Sequence, residues 1–320
     1  MAETTLTRRK DFLSVLDFDA DDLERCLQLA AQVKADRSLG RHAPTADVLN
    51  GHHVAMLFDK PSLRTRTTFE IAIRELGGHL VALQADVALG RREPVADVAR
   101  NLERWVDAVI IRTFSQHVLR EFAAAARRLH VVNALTDQEH PCQAIADFLT
   151  LQEHFGQLRG RTIAYVGDGN NVATSLAHAA AMLGVHFHVA SPEPYQLPHA
   201  VVQQATAVAR HGARLRLFSD AADAVAGADA VYTDTWTSMG QETEAEMRRT
   251  IFAPFQVNDE LMSLAKPGAL FMHCLPAHRG EEVTADVFES EASVVFDQAE
   301  NRLHGQKALL LMLLAPAAGI

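Results

Sequence analysis

The sequence predicts an α/β protein with two doubly wound parallel-sheet domains joined by helices. The chain has 320 residues, which is long for one hydrophobic core and favours two domains. Short apolar runs of strand length alternate with longer segments of helical periodicity almost throughout. Polar clusters directly follow several of these runs, and open α/β sheets bind their ligands at the carboxyl ends of the strands.

The predicted strands fall into two groups, one before about residue 140 and one after it. They are Val54–Phe58, Leu80–Leu83, Ala108–Arg112, Val131–Ala134, Thr162–Val166, Phe187–Ala190, Arg214–Phe218, Ala230–Thr233, Leu270–His273 and Val294–Phe296. Amphipathic or Ala-rich helices are predicted between them, among them Val118–Leu129, Val172–Leu183 and Ala200–His211. Because strands and helices alternate, each group is expected to form a parallel sheet covered on both faces.

The helix from Pro141 to about His154 is the predicted junction between the domains. We expect a first domain at residues 1–145, a second at 146–300, and a C-terminal helix at 301–320 that packs back on the first domain. The apolar stretch Ala308–Ala315 is too short to span a bilayer and is predicted to be buried.

Composition narrows the class of protein. The net charge of -10 argues against a nucleic-acid partner, although it allows a local basic pocket. The three cysteines do not form a disulfide framework, which is typical of a reducing compartment. The first ten residues contain no apolar segment of the kind found in signal peptides. We therefore expect a soluble, cytoplasmic protein with no membrane partner.

The segment Ser62-Leu63-Arg64-Thr65-Arg66-Thr67 follows the first strand and begins a helix. The first turn of a helix offers unpaired N–H groups and a partial positive charge to an anion. The hydroxyls of Ser62 and Thr65 add donors, and the Arg64 guanidinium can bind two oxygens at once. A capped surface helix is the alternative, but the combination favours a phosphate or carboxylate site.

Two more polar positions belong to the first group of strands. Arg112 closes a strand and either completes an anion clamp with Arg64 or forms a structural salt bridge. His140 precedes the junction helix, and Gln143 follows it by about one helical turn. His140 is either structural or a donor to a carbonyl oxygen, whereas Cys142 is predicted to be a packing residue.

The second group of strands is followed by clusters that suit an amino acid. Gly167-Asp168-Gly169-Asn170-Asn171-Val172 lacks the third glycine of a dinucleotide fingerprint, so nucleotide binding is not predicted. Its adjacent asparagines suit helix capping and carboxylate binding. Asp234 follows another strand and can hold a substrate ammonium, with Ser238 as a second polar contact. An Asx turn at the end of the strand is the alternative.

His273-Cys274-Leu275-Pro276-Ala277-His278 ends the strand Leu270–His273. Its spacing matches no common zinc pattern, so no metal site is predicted. Cys274 can contact a small amine or act as a thiolate. Glu300-Asn301-Arg302 is predicted to open the last helix, with Arg302 as either a third anion-binding arginine or a surface ion pair.

In chain order these motifs, with HPCQ at 140–143, SMG at 238–240 and HCLPAHRGEE at 273–282, resemble the ornithine carbamoyltransferases. The resemblance covers about residues 10–314. It implies one domain for carbamoyl phosphate, one for the amino acid, and a homotrimer or multiple of trimers with active sites near subunit interfaces. It also implies carbamoyl transfer to the δ-amine of L-ornithine, giving L-citrulline and phosphate in arginine biosynthesis, without metal or cofactor.

The resemblance also assigns roles to individual residues. Those assigned to carbamoyl phosphate are Ser62, Leu63, Arg64, Thr65, Arg112, His140, Gln143, Cys274, Leu275 and Arg302. Those assigned to ornithine are Asn171, Asp234, Ser238 and Met239. Those expected to be catalytic are Arg64, His140, Cys274 and Arg302. Leu63 stands where many relatives have Thr, which preserves a backbone contact. Ala88 stands where the family often has Gln, so that side-chain contact is lost, and Arg91 or Arg92 is the candidate replacement.

Three alternatives remain open from the sequence. Aspartate carbamoyltransferases share the phosphate-binding half, but a dicarboxylic substrate needs extra cations where this chain has Asp234 and Cys274. Carbamoyltransferases acting on N-acylated ornithine or on putrescine differ in small loop changes. The third alternative is not an enzyme: it is a catalytically silent paralogue that only binds ligand.

Overall fold

The structure, a computed structural model, describes residues 10–59, 62–83, 92–237 and 242–316. Its internal contacts divide the chain into two compact units. Unit 1 comprises residues 1–149 with 301–320, and unit 2 comprises residues 150–300. In the described part of the chain, no helix combines the length and apolar character needed to cross a membrane.

Unit 1 is built on a parallel sheet in the order β2-β1-β3-β4. Its strands are β1 His53–Phe58, β2 His79–Ala82, β3 Ala108–Arg112 and β4 His130–Leu135. Its helices are α1 Ala20–Ala35, α2 Leu63–Glu75, α3 Val95–Leu102, α4 Gln116–Ala125, most of α5 Pro141–Phe155 and most of α12 Val295–Leu314. The chain winds outward from β1 in both directions, so the topological switch lies between β1 and β3.

Unit 2 has a parallel sheet in the order β7-β6-β5-β8-β9. Its strands are β5 Thr162–Val166, β6 His186–Ala190, β7 Leu215–Phe218, β8 Ala230–Thr233 and β9 Leu270–His273. Its helices are α6 Asn171–Leu183, α7 His199–Ala207, α8 Ala221–Val225, α9 Ala245–Phe252, α10 Asp259–Ser263 and α11 Ala285–Phe288. The switch here lies between β5 and β8. The predicted fold class, two doubly wound parallel sheets with connecting helices, is confirmed.

The burial of the strands explains why apolar runs in the sequence predicted them so clearly. Every residue of β3 and β8 is buried, as expected for central parallel strands that are covered on both faces. In unit 1, Val109 and Ile111 of β3 pack with Phe122 of α4 in one apolar cluster. In unit 2, Val231 and Phe271 belong to a second cluster. Each sheet therefore has its own core.

One predicted strand, Val294–Phe296, is wrong. Ser293 makes a single parallel bridge with Phe271, the Val294 N–H donates to the Phe271 carbonyl at 3.0 Å, and α12 begins at Val295. A three-residue apolar run cannot by its periodicity be told from the start of a buried helix. The last helix consequently starts five residues before the predicted Glu300.

Candidate active site

The amino-terminal end of α2 forms the first part of the candidate site in unit 1. Ser62 is its N-cap, with extended backbone (φ -155°, ψ 110°), and its side chain makes no capping hydrogen bond. The hydroxyl is therefore not used to cap the helix, and the first-turn N–H groups of a helix can bind an anion. The Leu63 side chain is 77% exposed, so this position can offer its backbone N–H.

Thr65 is the centre of a buried cluster that gathers two arginines from distant parts of the chain. Its Oγ1 accepts from Arg302 Nη2 at 3.1 Å and lies 3.5 Å from the donor Arg112 Nη1. Arg302 Nη1 also donates to Gln143 Oε1 at 2.6 Å. Arg112 reaches the cluster because it ends β3, in register with Phe58 at the end of β1. The structure thus brings together sequence-predicted residues that are up to 237 positions apart.

His140 lies beside this cluster and is 5% exposed. The preceding turn is closed by a hydrogen bond from the Thr136 N–H to the Glu139 carbonyl at 2.9 Å. Burial lowers the pKa of His140 well below its ordinary value of 6.5, and the charges of Arg302 and Arg112 lower it further. The imidazole is therefore neutral at physiological pH and can donate one N–H to a carbonyl oxygen.

The depressed pKa of His140 makes a prediction about stability and pH. Above pH 6.5 the histidine is neutral whether folded or unfolded; as pH falls below 6.5, only the unfolded chain binds the proton. The native protein should therefore lose up to about 1.4 kcal/mol of stability between pH 7.5 and 5.5 through this group. We expect His140→Gln to lose less stability than wild type over this interval, measured by thermal unfolding. Equal losses in the two proteins would contradict the neutral assignment.

The thiol of Cys142 is a packing group, as its sequence context predicts. It is buried, and its Sγ donates to the Asn133 carbonyl at 3.3 Å. Burial raises its pKa to about 12, and burial also raises the pKa of Cys26. Cys274 is only partly buried.

The three cysteines should therefore differ in reactivity. We expect iodoacetamide at pH 8 to modify native Cys274 and to leave Cys26 and Cys142 intact, because the attacking species is an accessible thiolate. Peptide mass mapping checks this, and denatured protein, in which all three should react, is the control. Modification of native Cys142 at the rate of Cys274 would contradict the assignment.

The candidate site in unit 2 is centred on Asp234, which follows β8 and is 7% exposed. Asn170 Nδ2 donates to Asp234 Oδ2 at 2.8 Å, and Cys274 Sγ donates to Asp234 Oδ1 at 3.1 Å. These three residues follow β5, β8 and β9, on both sides of the switch point between β5 and β8. A buried carboxylate in such a place suits a cationic ligand group.

Asn170 also contacts Asp234, although the sequence-based assignment names only its neighbour Asn171, whose role stays a prediction. Asn170 is the N-cap of α6: its Oδ1 accepts from the N–H of Val172 at 2.9 Å and of Ala173 at 3.2 Å. Asn171 is the first residue of the helix. The sequence does indicate the capping role of Asn170, because the asparagine just before an apolar helical pattern is the one expected to cap the helix.

The segment after β9 is held in an unusual conformation. Leu275 has φ 62°, a left-handed backbone that costs a non-glycine residue roughly 1–2 kcal/mol. The Leu275 N–H donates to His273 Nδ1 at 2.9 Å, and His273 Nε2 lies 3.2 Å from Glu282 Oε1. Since Nδ1 accepts, Nε2 carries the proton and donates to Glu282. Such strain is often found at functional sites.

Arg248 is a second residue that sequence reasoning missed. It is 2% exposed, pairs with Asp168, and donates from Nε to the Trp236 carbonyl at 2.5 Å. Its guanidinium also lies 4.5 Å from the centre of the Tyr195 ring. It thereby ties the loop after β5 to the loop after β8. Nothing in the local sequence of α9 distinguishes this arginine from an exposed one.

Potential metal ligands also lie close together at Asp234, His273 and Cys274, with one ligand atom from each within 4.8 Å of the others. Their contacts have another explanation, because the thiol donates to Asp234 and both nitrogens of His273 have hydrogen-bond partners. An ion would have to break these bonds. We therefore assign no metal to this cluster.

Some predicted positions lie outside the described residues: Ser238, Met239, Ala88 and Arg91. Arg92 is described and is exposed. The proposed replacement of the family glutamine by an arginine therefore stays a prediction, as do the roles of Ser238 and Met239.

Comparisons with known proteins match both units. The family model for the aspartate/ornithine carbamoyltransferase carbamoyl-P binding domain matches residues 10–153, and that for the Asp/Orn binding domain matches residues 159–313. The ornithine carbamoyltransferase of Anoxybacillus flavithermus is 48% identical over 98% of this chain and 99% of its own length. That of Symbiobacterium thermophilum is 50% identical over 97% and 100%.

A solved structure gives the same result. The ornithine carbamoyltransferase from Pyrococcus furiosus superposes with a TM-score of 0.93 at 46% identity, covering 99% of this chain and 100% of that one. These relatives therefore agree with this chain in sequence, in length and in fold. The chain therefore belongs to the aspartate/ornithine carbamoyltransferase family, among its ornithine carbamoyltransferases.

Proposed function

We propose that this protein transfers the carbamoyl group of carbamoyl phosphate to the δ-amine of L-ornithine, releasing L-citrulline and phosphate. The observation that carries the choice of amine is the buried Asp234, whose two carboxylate oxygens accept from a thiol and from a neutral amide. A second carboxylate on the substrate, as in aspartate, would be repelled there. A cationic diamino acid is favoured.

Unit 1 is proposed to bind carbamoyl phosphate. Ser62, the Leu63 N–H and the guanidinium groups of Arg64 and Arg112 would bind the phosphate, as anions bind at helix termini and to arginines. Arg302 and neutral His140 would donate to the carbonyl oxygen, where negative charge develops in the transition state. A neutral histidine suits this role because it donates a hydrogen bond without adding a fourth cation to the cluster.

Unit 2 is proposed to bind ornithine. Asp234 would bind an ammonium group of the amino acid. Hydrogen bonds from Asn170 and Cys274 fix the two carboxylate oxygens of Asp234 in place. Asn171, Ser238 and Met239 complete the proposed set. The carbamoyl phosphate contacts that the family resemblance implies for Cys274 and Leu275 stay predictions.

The reaction follows from these two sets of groups. The neutral δ-nitrogen attacks the carbonyl carbon and forms the C–N bond, and the C–O bond to phosphate then breaks. The electron pair of that bond leaves with the phosphate, whose charge the arginines stabilise. The departing phosphate is the proposed acceptor of the proton that the nitrogen loses.

The broader setting is part of the same proposal. We propose that the protein acts in the cytoplasm in arginine biosynthesis, as a homotrimer or a multiple of trimers, with residues 1–145 and the C-terminal helix binding carbamoyl phosphate and residues 146–300 binding ornithine. The family resemblance supports these statements. Light scattering of the purified protein tests the assembly.

The direct test is product formation from carbamoyl phosphate with ornithine, aspartate, N-acetylornithine and putrescine in parallel. Citrulline from ornithine, with far slower reaction of the other amines, is the expected result. Faster reaction of another amine would overturn the assignment around Asp234 while leaving the phosphate half intact. Binding of carbamoyl phosphate without any product would identify a silent paralogue.

A further inference from the structure

We propose that Asp147 determines which acyl phosphate this protein accepts, by fixing the side-chain amide of Gln143 with its oxygen toward the acyl group. The inference rests on the proposed function and goes beyond it. It assigns a positioning role, and with it donor selectivity, to a residue that contacts neither the phosphate nor the amine in that proposal.

The hydrogen bonds of the Gln143 side-chain amide fix its orientation. Gln143 Nε2 donates to Asp147 Oδ1 at 2.8 Å, and Gln143 Oε1 accepts from Arg302 Nη1 at 2.6 Å. Gln143 is 1% exposed and Asp147 is fully buried. A flipped amide would place its NH₂ against a guanidinium, which has donors only, and its oxygen against a carboxylate. The two partners together therefore allow one orientation.

The helix explains why Asp147 can do this. Gln143 and Asp147 are four residues apart on α5, so their side chains lie one above the other on the same face. Burial removes competition from water for the hydrogen bond, which strengthens it. Arg302 reaches the other end of the amide from α12.

The fixed orientation has a chemical consequence. An amide oxygen has two lone pairs, and Arg302 uses one of them. The second can accept an N–H from the acyl group of the bound ligand, while His140 and Arg302 are both donors and suit its carbonyl oxygen. Carbamoyl phosphate carries an NH₂ on the carbonyl carbon, whereas acetyl phosphate carries a methyl group of similar size that cannot donate. Gln143 would therefore recognise the carbamoyl group only while Asp147 holds it.

Calorimetric binding without ornithine tests this, because no transfer then occurs. Carbamoyl phosphate, acetyl phosphate and inorganic phosphate are titrated into wild type and Asp147→Leu. We expect Asp147→Leu to bind carbamoyl phosphate roughly 3- to 10-fold more weakly, as for the loss of one hydrogen bond. Its affinities for acetyl phosphate and inorganic phosphate should change by less than about 2-fold. A purely structural role would weaken all three ligands together, and that result would overturn the proposal.

Three further variants keep the test decisive if Asp147→Leu does not fold. Gln143→Met removes the acceptor with little change in shape and should show the same ligand-selective loss; retained selectivity would overturn the proposal. Asp147→Asn keeps an oxygen acceptor for Gln143. It should therefore prefer carbamoyl phosphate over acetyl phosphate more strongly than Gln143→Met does. Thr150→Val is a matched buried change on α5 that should preserve selectivity. Where both single variants fold, Asp147→Leu combined with Gln143→Met should lose no more selectivity than either alone.

Failure of this inference can be told from failure of the proposed function. If wild type binds inorganic phosphate but not carbamoyl phosphate, the proposed function fails. If wild type prefers carbamoyl phosphate and Asp147→Leu keeps that preference, only the role of Asp147 is overturned.

Discussion

Replacing Arg64 with alanine is expected to lower citrulline formation by about 10²–10³-fold, the usual cost of removing one preorganised donor to a developing negative charge. Arg64 lies in the first turn of α2, and its charge is one of three that lower the pKa of the neighbouring His140. Its guanidinium is proposed to bind the phosphate and the carbonyl oxygen, so that it stabilises charge in both places where charge develops.

The fold should tolerate this change. Arg64 is only partly buried, and a cation in the first turn of a helix opposes the helix dipole. We expect the melting temperature to change by no more than about 2 °C. Arg66→Ala, an exposed arginine on the same helix, is the matched control and should retain turnover. Near-normal turnover of folded Arg64→Ala would remove Arg64 from the mechanism.

Replacing Asp234 with alanine is expected to raise the KM for ornithine by about 10- to 100-fold, since a hydrogen bond to a charged group contributes roughly 1.5–3 kcal/mol. The affinity for carbamoyl phosphate should stay within about 2-fold of wild type, because the proposed phosphate ligands all belong to unit 1. Steady-state kinetics with ornithine varied, and calorimetry with carbamoyl phosphate, measure the two effects separately.

A matched control distinguishes the loss of a carboxylate at the site from the loss of a carboxylate elsewhere in unit 2. Asp259→Ala removes an exposed carboxylate from the first turn of α10 in the same unit and should leave both constants unchanged. An equal loss of ornithine and carbamoyl phosphate affinity in Asp234→Ala would show that the proposed division of ligands between the units is wrong.

Strands were the most predictable elements of this fold. The predicted β3, β5, β8 and β9 agree with the structure at both ends, because largely buried parallel strands are short apolar runs bounded by polar residues. The error at Val294 arose where the chain makes one bridge beside β9 and then turns into a helix. A local pattern cannot report that a strand partner is available for one residue only.

By itself the sequence determined the alternation of strands and helices, hence two parallel sheets, and the position of polar residues at the ends of particular strands. It also identified Arg64, His140, Asp234 and Cys274 as candidates, because each stands where a strand ends or a helix begins. Such positions are local, and the chemistry of each residue type is written in the sequence.

Only the tertiary structure decided which of these groups meet and in what state. Thr65 accepts from Arg302 across 237 positions, Asn170 donates to Asp234, and Arg248 is buried between two loops. Burial and the neighbouring guanidinium groups lower the pKa of His140, which the histidine's own sequence context does not reveal. The physical reason is that desolvation and charge–charge interactions depend on distances in space, and these distances are fixed by the packing of the whole unit.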